Sequence, residues 1–323
     1  MEQKKLMSNL KSGEFASCYL LYGVERYLVS FYAKEIEKSL GVDKDVFFQN
    51  PVAEIIMAAE TLPFFAERRL ILVQESKLFA TGRKDDSEKM TNYLTNIPSN
   101  TTIIFTESDV DRRSKLFKQI SKVGAVLECS PPSSQDLATW VLRLAKEKDA
   151  NIAPATAHQL VRIVGANMTQ LSNEISKLAA YCEGGEISVD DINLICTPTL
   201  ESKIFDMTKA MGSGRLTEAL GKYHDMLMLK ESPIMILTMI VRQFRMILLC
   251  KCAYEKGMTI FDTTKELGFR DFMVSEALSQ ARRYSTETLL QALRDCLDTD
   301  VKIKTGLISQ ELGVELLIVK YGK

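Results

Sequence analysis

Short apolar runs recur along the first part of the chain: CYLLYG (18–23), DVFFQ (45–49), RLILVQE (69–75), TTIIFTE (101–107) and AVLEC (125–129). Each is rich in β-branched and aromatic residues, as strands are. Leu70 to Val73 form an unbroken apolar run, which suits a strand buried on both faces. Between the runs lie helical patterns such as ERYLVSFYAKEIEKSL and SKLFKQISKV. That alternation predicts a mainly parallel sheet covered by helices on both faces. Val52, Ile55, Ile56, Ala59 and Leu62 repeat at the spacing that gives a helix one apolar face, and Pro63 then stops it. Phe64 and Phe65 fall on the following helix-to-strand connection. Two large rings there are either tucked back into the core or presented to a partner.

Pro131-Pro132, followed by Ser133-Ser134, ends this rhythm, because prolines break a sheet and serines cap a new helix. A helical unit follows, built from SQDLATWVLRLAKEKD, PATAHQLVRIVG and NMTQLSNEISKLAAYC, with SVDDINLIC after them. A second break comes at TPTLES (197–202), beyond which everything reads as helix. The segment through Leu237, Ile240, Val241, Phe244 and Leu248 is apolar on most sides and belongs in the centre of a bundle. Leu289, Leu293 and Leu297 form an i, i+4, i+8 stripe, repeated by Ile308, Leu312 and Leu316. The expected domains are therefore an α/β domain over 1–130, a small helical domain over 131–199 and an all-helical domain over 200–323.

Composition narrows the function only a little. Of 323 residues 46% are hydrophobic and 26% charged, with a net charge of -1, so the whole chain offers no global attraction for nucleic acid or membrane. The N-terminus MEQKKLMSNLKSGEF lacks the apolar core of a signal peptide, and the longest apolar run is interrupted by Arg242 and Arg245. A cytoplasmic protein without membrane partners is expected. Seven cysteines are scattered with no C-x-x-C pair, which suits reduced, buried small residues better than zinc or disulfides.

A phosphate-binding loop would follow the first strand. The template G-x-x-x-x-G-K-[ST] can be laid on GVERYLVS, from Gly23 to Ser30. Its ends fit, but Leu28 stands at the second glycine and Val29 at the lysine, so the phosphate nest and its charge are both lost. The third strand ends in Gln74-Glu75 where an ATPase carries a magnesium-binding aspartate. The two histidines, His158 and His224, lie in different domains with no metal or nucleophile spacing. Asp190-Asp191 reads as a helix start, and Asp109, Asp111, Arg112 and Arg113 as a solvated charge run, with trans-acting arginines as the functional alternative. No catalytic residue, cofactor or metal is expected.

Several segments, in order, resemble the delta subunit of the bacterial DNA polymerase III clamp loader. They are YLLYGVERYLV, LPFFAERRLILV, TTIIFTES with DRRSKLFK, VGANMTQLSNEISKL, IFDM, SPIMILTMIVRQFRMILL and DTDVKIKTG. The resemblance implies an AAA+-like α/β domain with a degenerate nucleotide site, a helical lid and a helical collar that oligomerises. It implies a non-catalytic subunit of a DNA-directed DNA polymerase holoenzyme, a nucleotidyltransferase complex. Its partners would be the sliding clamp (the beta subunit), the ATPase and other subunits of the loader, and primer-template DNA within the assembly. On that resemblance Leu62, Phe64 and Phe65 match the hydrophobic wedge that docks on the clamp; the basic and apolar alternation round Lys302 and Lys304 makes them the residues expected near DNA. Two rivals stand beside it. One is an ATPase with a divergent loop; the other is a helical DNA-binding adaptor using Arg242, Arg245, Lys251, Lys302 and Lys304 without any clamp.

Overall fold

The computed structural model describes residues 3–62, 68–80 and 82–322. These fall into two compact units, Met1–Pro131 and Pro132–Lys323.

The first unit runs α1 (Gln3–Ser12), β1 (Cys18–Tyr22), α2 (Arg26–Leu40), β2 (Lys44–Phe48), α3 (Val52–Glu60), β3 (Arg69–Gln74), α4 (Lys84–Tyr93), β4 (Thr101–Glu107), α5 (Lys115–Val123) and β5 (Ala125–Glu128). All five strands are parallel, in the order β2-β3-β4-β1-β5. β1 and β4 are buried along their whole length, which is why they read as continuous apolar runs. β2 is an edge strand: Phe47 packs on the core while Val46 and Phe48 face outward.

α3 stops at Glu60, and Thr61 is already extended. Leu62 therefore does not complete the apolar face that its spacing suggested. It stands 73% exposed, whereas Val52, Ile55 and Ala59 are buried. Phe64 and Phe65 lie outside the described residues.

The second unit begins with α6 (Ser134–Glu147), β6 (Asn151–Ile152), α7 (Pro154–Val164), α8 (Met168–Tyr181), β7 (Glu186–Ile187) and α9 (Val189–Ile195). β6 and β7 pair in parallel, a two-residue ladder too short to show in sequence. Ser188 and Asp191 form a capping box, so the acidic pair at 190–191 is indeed a helix start.

Seven helices follow: α10 (Leu200–Gly212), α11 (Leu216–Met228), α12 (Pro233–Glu255), α13 (Ile260–Leu267), α14 (Asp271–Ala281), α15 (Thr286–Lys304) and α16 (Gln310–Tyr321). Among the described residues α12 alone is long and apolar enough to cross a membrane, in spite of its two arginines. Its apolar positions have another use: Ile236, Ile240, Phe244 and Ile247 are fully buried at the middle of the helical core.

The leucine stripe needs correction. Leu289 is buried and Leu293 packs on the core, but Leu297, Leu312 and Leu316 are exposed, Leu297 by 66%. Steps of four residues drift about 40° each round a helix, so the third position has left the core face. The buried set on α15 is Leu289, Ala292, Cys296 and Ile303; on α16 it is Val314, Leu317, Ile318 and Tyr321.

One core cluster runs from Ile204 to Tyr321 and draws on α10 to α16. A fragment beginning at Pro198, which keeps the Thr199 cap of α10, should therefore be helical by circular dichroism and melt cooperatively. A broad, non-cooperative melt would show that α6 to α9 complete that core.

Candidate functional site

In an open parallel sheet, ligands bind at the carboxyl ends of the strands, where a helix N-terminus supplies free N–H groups and positive potential. Here that place lies between β1 and α2. The connection has shrunk to Gly23, Val24 and Glu25, because α2 already starts at Arg26. Leu28 and Val29 thus stand in the first turns of the helix rather than in a loop, and both are buried. Ser30 is exposed.

Four N–H groups at this turn and the start of α2 have acceptors within the protein. Gly23 N–H donates to the Glu107 carbonyl at 3.1 Å, Glu25 N–H to the Cys129 carbonyl at 3.2 Å, and Arg26 N–H to the Val24 carbonyl at 3.1 Å. The Glu25 carboxylate accepts from Tyr27 N–H at 3.3 Å and so caps α2. A phosphate approaching that helix end meets a carboxylate in its place. Glu75, next to the metal-ligand position at the end of β3, is held by the Arg26 guanidinium at 2.7 Å and accepts from Ser108 Oγ at 2.8 Å.

Gly23 survives for a different reason. Its φ of +135° is costly for any other residue, and a Cβ there would come 2.4 Å from the Cys129 carbonyl oxygen. The glycine lets β1 turn against the end of β5.

Glu107, at the end of β4, is a buried carboxyl that the sequence did not single out. It accepts from Ser76 N–H at 2.9 Å and from the Ser76 hydroxyl, fixing the turn after β3. Burial pushes its pKa up, against the opposing effect of these hydrogen bonds. Lys77 N–H also donates to it, at 3.4 Å, so this carboxyl ties the end of β4 to the turn after β3.

Among the described residues no cluster of three histidine, cysteine or acidic side chains could hold a metal. His158 and His224 are both exposed, on α7 and α11. The cysteines of the described chain are free thiols, and burial pushes Cys129, Cys196 and Cys296 up to about 12, far from thiolate chemistry at neutral pH.

The exposed apolar surface at the end of α3 is of another kind. Met57 (69% exposed) lies on α3 and Leu62 (73%) two residues past its end, shortly before the phenylalanines in sequence. The basic residues show less. Lys302 is paired with Asp298 and Lys304 with Asp300, each at 2.6 Å, while Arg242 is paired with Glu201 and Lys251 with Glu255. Arg112 is held by Glu128 and lies over the Tyr22 ring, and Arg113 turns back to Asp111. Cations already paired in this way give little net attraction to a phosphate backbone.

Two family models match the chain: "DNA polymerase III, delta subunit" over residues 19–130 and "DNA polymerase III delta subunit, C-terminal domain" over 201–321. The DNA polymerase III subunit delta of Bacillus subtilis is 28% identical, across 97% of this chain and 94% of that one. A probable delta subunit from Aquifex aeolicus is 20% identical, across 84% and 81%. The solved structure of the Bacillus subtilis DNA clamp loader delta protein superposes with a TM-score of 0.71 over 99% of both chains, at 28% identity. With this fold, and a phosphate position closed by the protein's own groups, the chain belongs to the delta-subunit family of the DNA polymerase III clamp loader.

Proposed function

We propose that this chain is a non-catalytic subunit of the clamp loader that binds the ring-shaped sliding clamp and favours its open form for loading onto primed DNA. The observation that carries this reading is the apolar surface of Met57 and Leu62, exposed at the mouth of the connection that holds Phe64 and Phe65. Exposed apolar side chains followed in sequence by two phenylalanines suit an anchor that fills a preformed pocket on a partner. The capped α2 terminus supports the other half of the reading, since it leaves ATP binding and hydrolysis to neighbouring subunits.

Opening follows from differential binding. The subunit shifts the ring only as far as it binds the open form more tightly than the closed one. The helices from α10 onward would join the collar beside the ATP-hydrolysing subunits, and primer-template DNA would be met inside that assembly. The well-paired Lys302 and Lys304 favour DNA contact by the assembly rather than by this chain alone.

The full chain should retain its cognate clamp in a pull-down without ATP, and Leu62→Asp should abolish retention without changing the thermal melt. Equal retention by Leu62→Asp would remove Leu62 from the interface. Steeply salt-dependent DNA binding by the isolated chain would favour the adaptor reading instead.

A further inference from the structure

A cavity of about 170 Å³ lies where α7, α10, α12 and the start of α14 meet. Its walls are partly apolar, from Phe205, Met246 and Met273, and partly basic, from Arg162, Arg242 and Arg270. A water occupies about 30 Å³ in the liquid, so the space exceeds what one buried water fills.

Two of the three arginines are satisfied. Arg162 binds Asp206 at 3.0 Å and Arg242 binds Glu201 at 3.1 Å. Arg270 differs: its described contact is one long hydrogen bond, 3.4 Å, to the Pro132 carbonyl, with no carboxylate. Arg270 also stands at the N-cap of α14, where no side chain caps the helix.

Gln243 is the second observation. It is 93% buried by its 7% exposure, it lines the cavity, and its Nε2 has no acceptor. A buried amide N–H without a partner costs about 1–3 kcal/mol, a cost that an acceptor held in the cavity would offset. Gln243, whose Nε2 has no acceptor, and Arg270, which has one long hydrogen bond and no carboxylate, are thus two donors on different helices that line the same cavity.

We propose that this cavity is a binding site for a small ligand that carries an oxyanion, a carboxylate or a phosphate, on an apolar body. The oxyanion accepts from Arg270 and Gln243, while Phe205, Met246 and Met273 pack on the body. Glu201 and Glu276 also line the cavity, and the three arginines outnumber them. The site is separate from the clamp-binding surface and does not depend on that reading.

The test uses the full chain with ¹³C-methyl methionine, its Met246 and Met273 resonances assigned by single leucine substitutions. Benzoate and phenyl phosphate are the probes, with phenol as the uncharged control. Ligands this small should bind at about 1 mM. The expected result is a saturable shift of both resonances with benzoate, phenyl phosphate or both, and none with phenol. Response to one probe alone identifies the oxyanion that the site takes. Gln243→Leu and Arg270→Gln should each weaken binding about tenfold. Arg270 is partly exposed, so its variant keeps the test valid if Gln243→Leu unfolds the protein. The proposal fails if neither probe moves either resonance at about 10 mM. It fails equally if phenol shifts them alike, or if Arg270→Gln binds unchanged.

Discussion

Alanine at both Phe64 and Phe65 should cost the chain roughly a thousandfold in affinity for the sliding clamp and leave its thermal melt in place. Truncating an interface anchor typically costs about 2 kcal/mol or more, and two such losses approach three powers of ten, although neighbouring terms do not add strictly. The expectation rests on position. Only Pro63 separates the phenylalanines from Leu62 in sequence, and Leu62 is already outside the core. Leu72 provides the contrast, because it is buried in β3 between β2 and β4. Leu72→Ala should lower stability by about 2–5 kcal/mol through the cavity it leaves, and should affect clamp binding only where the protein unfolds. Melts and clamp titrations on both variants separate the cases. A double variant that melts as early as Leu72→Ala puts the rings in the core; one that binds normally puts the wedge elsewhere.

Val29→Lys, which restores the missing lysine of the phosphate loop, should yield no ATP binding and no turnover, and should destabilise the protein. Val29 is 1% exposed. Keeping a lysine neutral there at pH 7 costs about 4–5 kcal/mol, from about 1.4 kcal/mol for each pH unit below its ordinary pKa near 10.4. The small cavity beside Val29 offers no relief: it is lined by Arg26, Lys34 and Lys44, and its carboxylate, Glu37, is already held by Lys44 at 2.5 Å. Val29→Met should melt close to the unsubstituted protein. Saturable ATP binding or measurable hydrolysis by Val29→Lys would show that the lysine alone had been lacking, against the capped helix end described here.

β1, β3 and β4 were legible because a parallel sheet buried on both faces leaves nearly continuous apolar runs, the edge strand β2 showed by its β-branched and aromatic residues, and Pro131-Pro132 marks the end of the sheet. α1 and α4 were not legible. Each is ten residues long and contributes one or two buried side chains, Leu6 and Leu10 or Met90. The stripe of α15 and α16 failed because four-residue steps were followed where the core follows sevens and mixed threes and fours. At the nucleotide position, the losses at Leu28 and Val29 were readable from residue type. The carboxylate cap was not, since glutamate before a helix is an uncommon cap. Gln243 in the run RQFR gave no signal, because its meaning depends on three other helices meeting round it.

Gly23 shows what a broken motif can still say. The residue at the head of the old template is required by the approach of β1 to β5, through a collision with backbone that no side chain can relieve. Any chain that keeps this approach keeps the glycine, whether or not it ever met a nucleotide. Such a residue carries no information about ancestry or activity, and a count of matching letters overstates the likeness. The informative letters are those with a single task. Where a ligand goes, such letters are free to change, and Val29 at the lysine position is one of them.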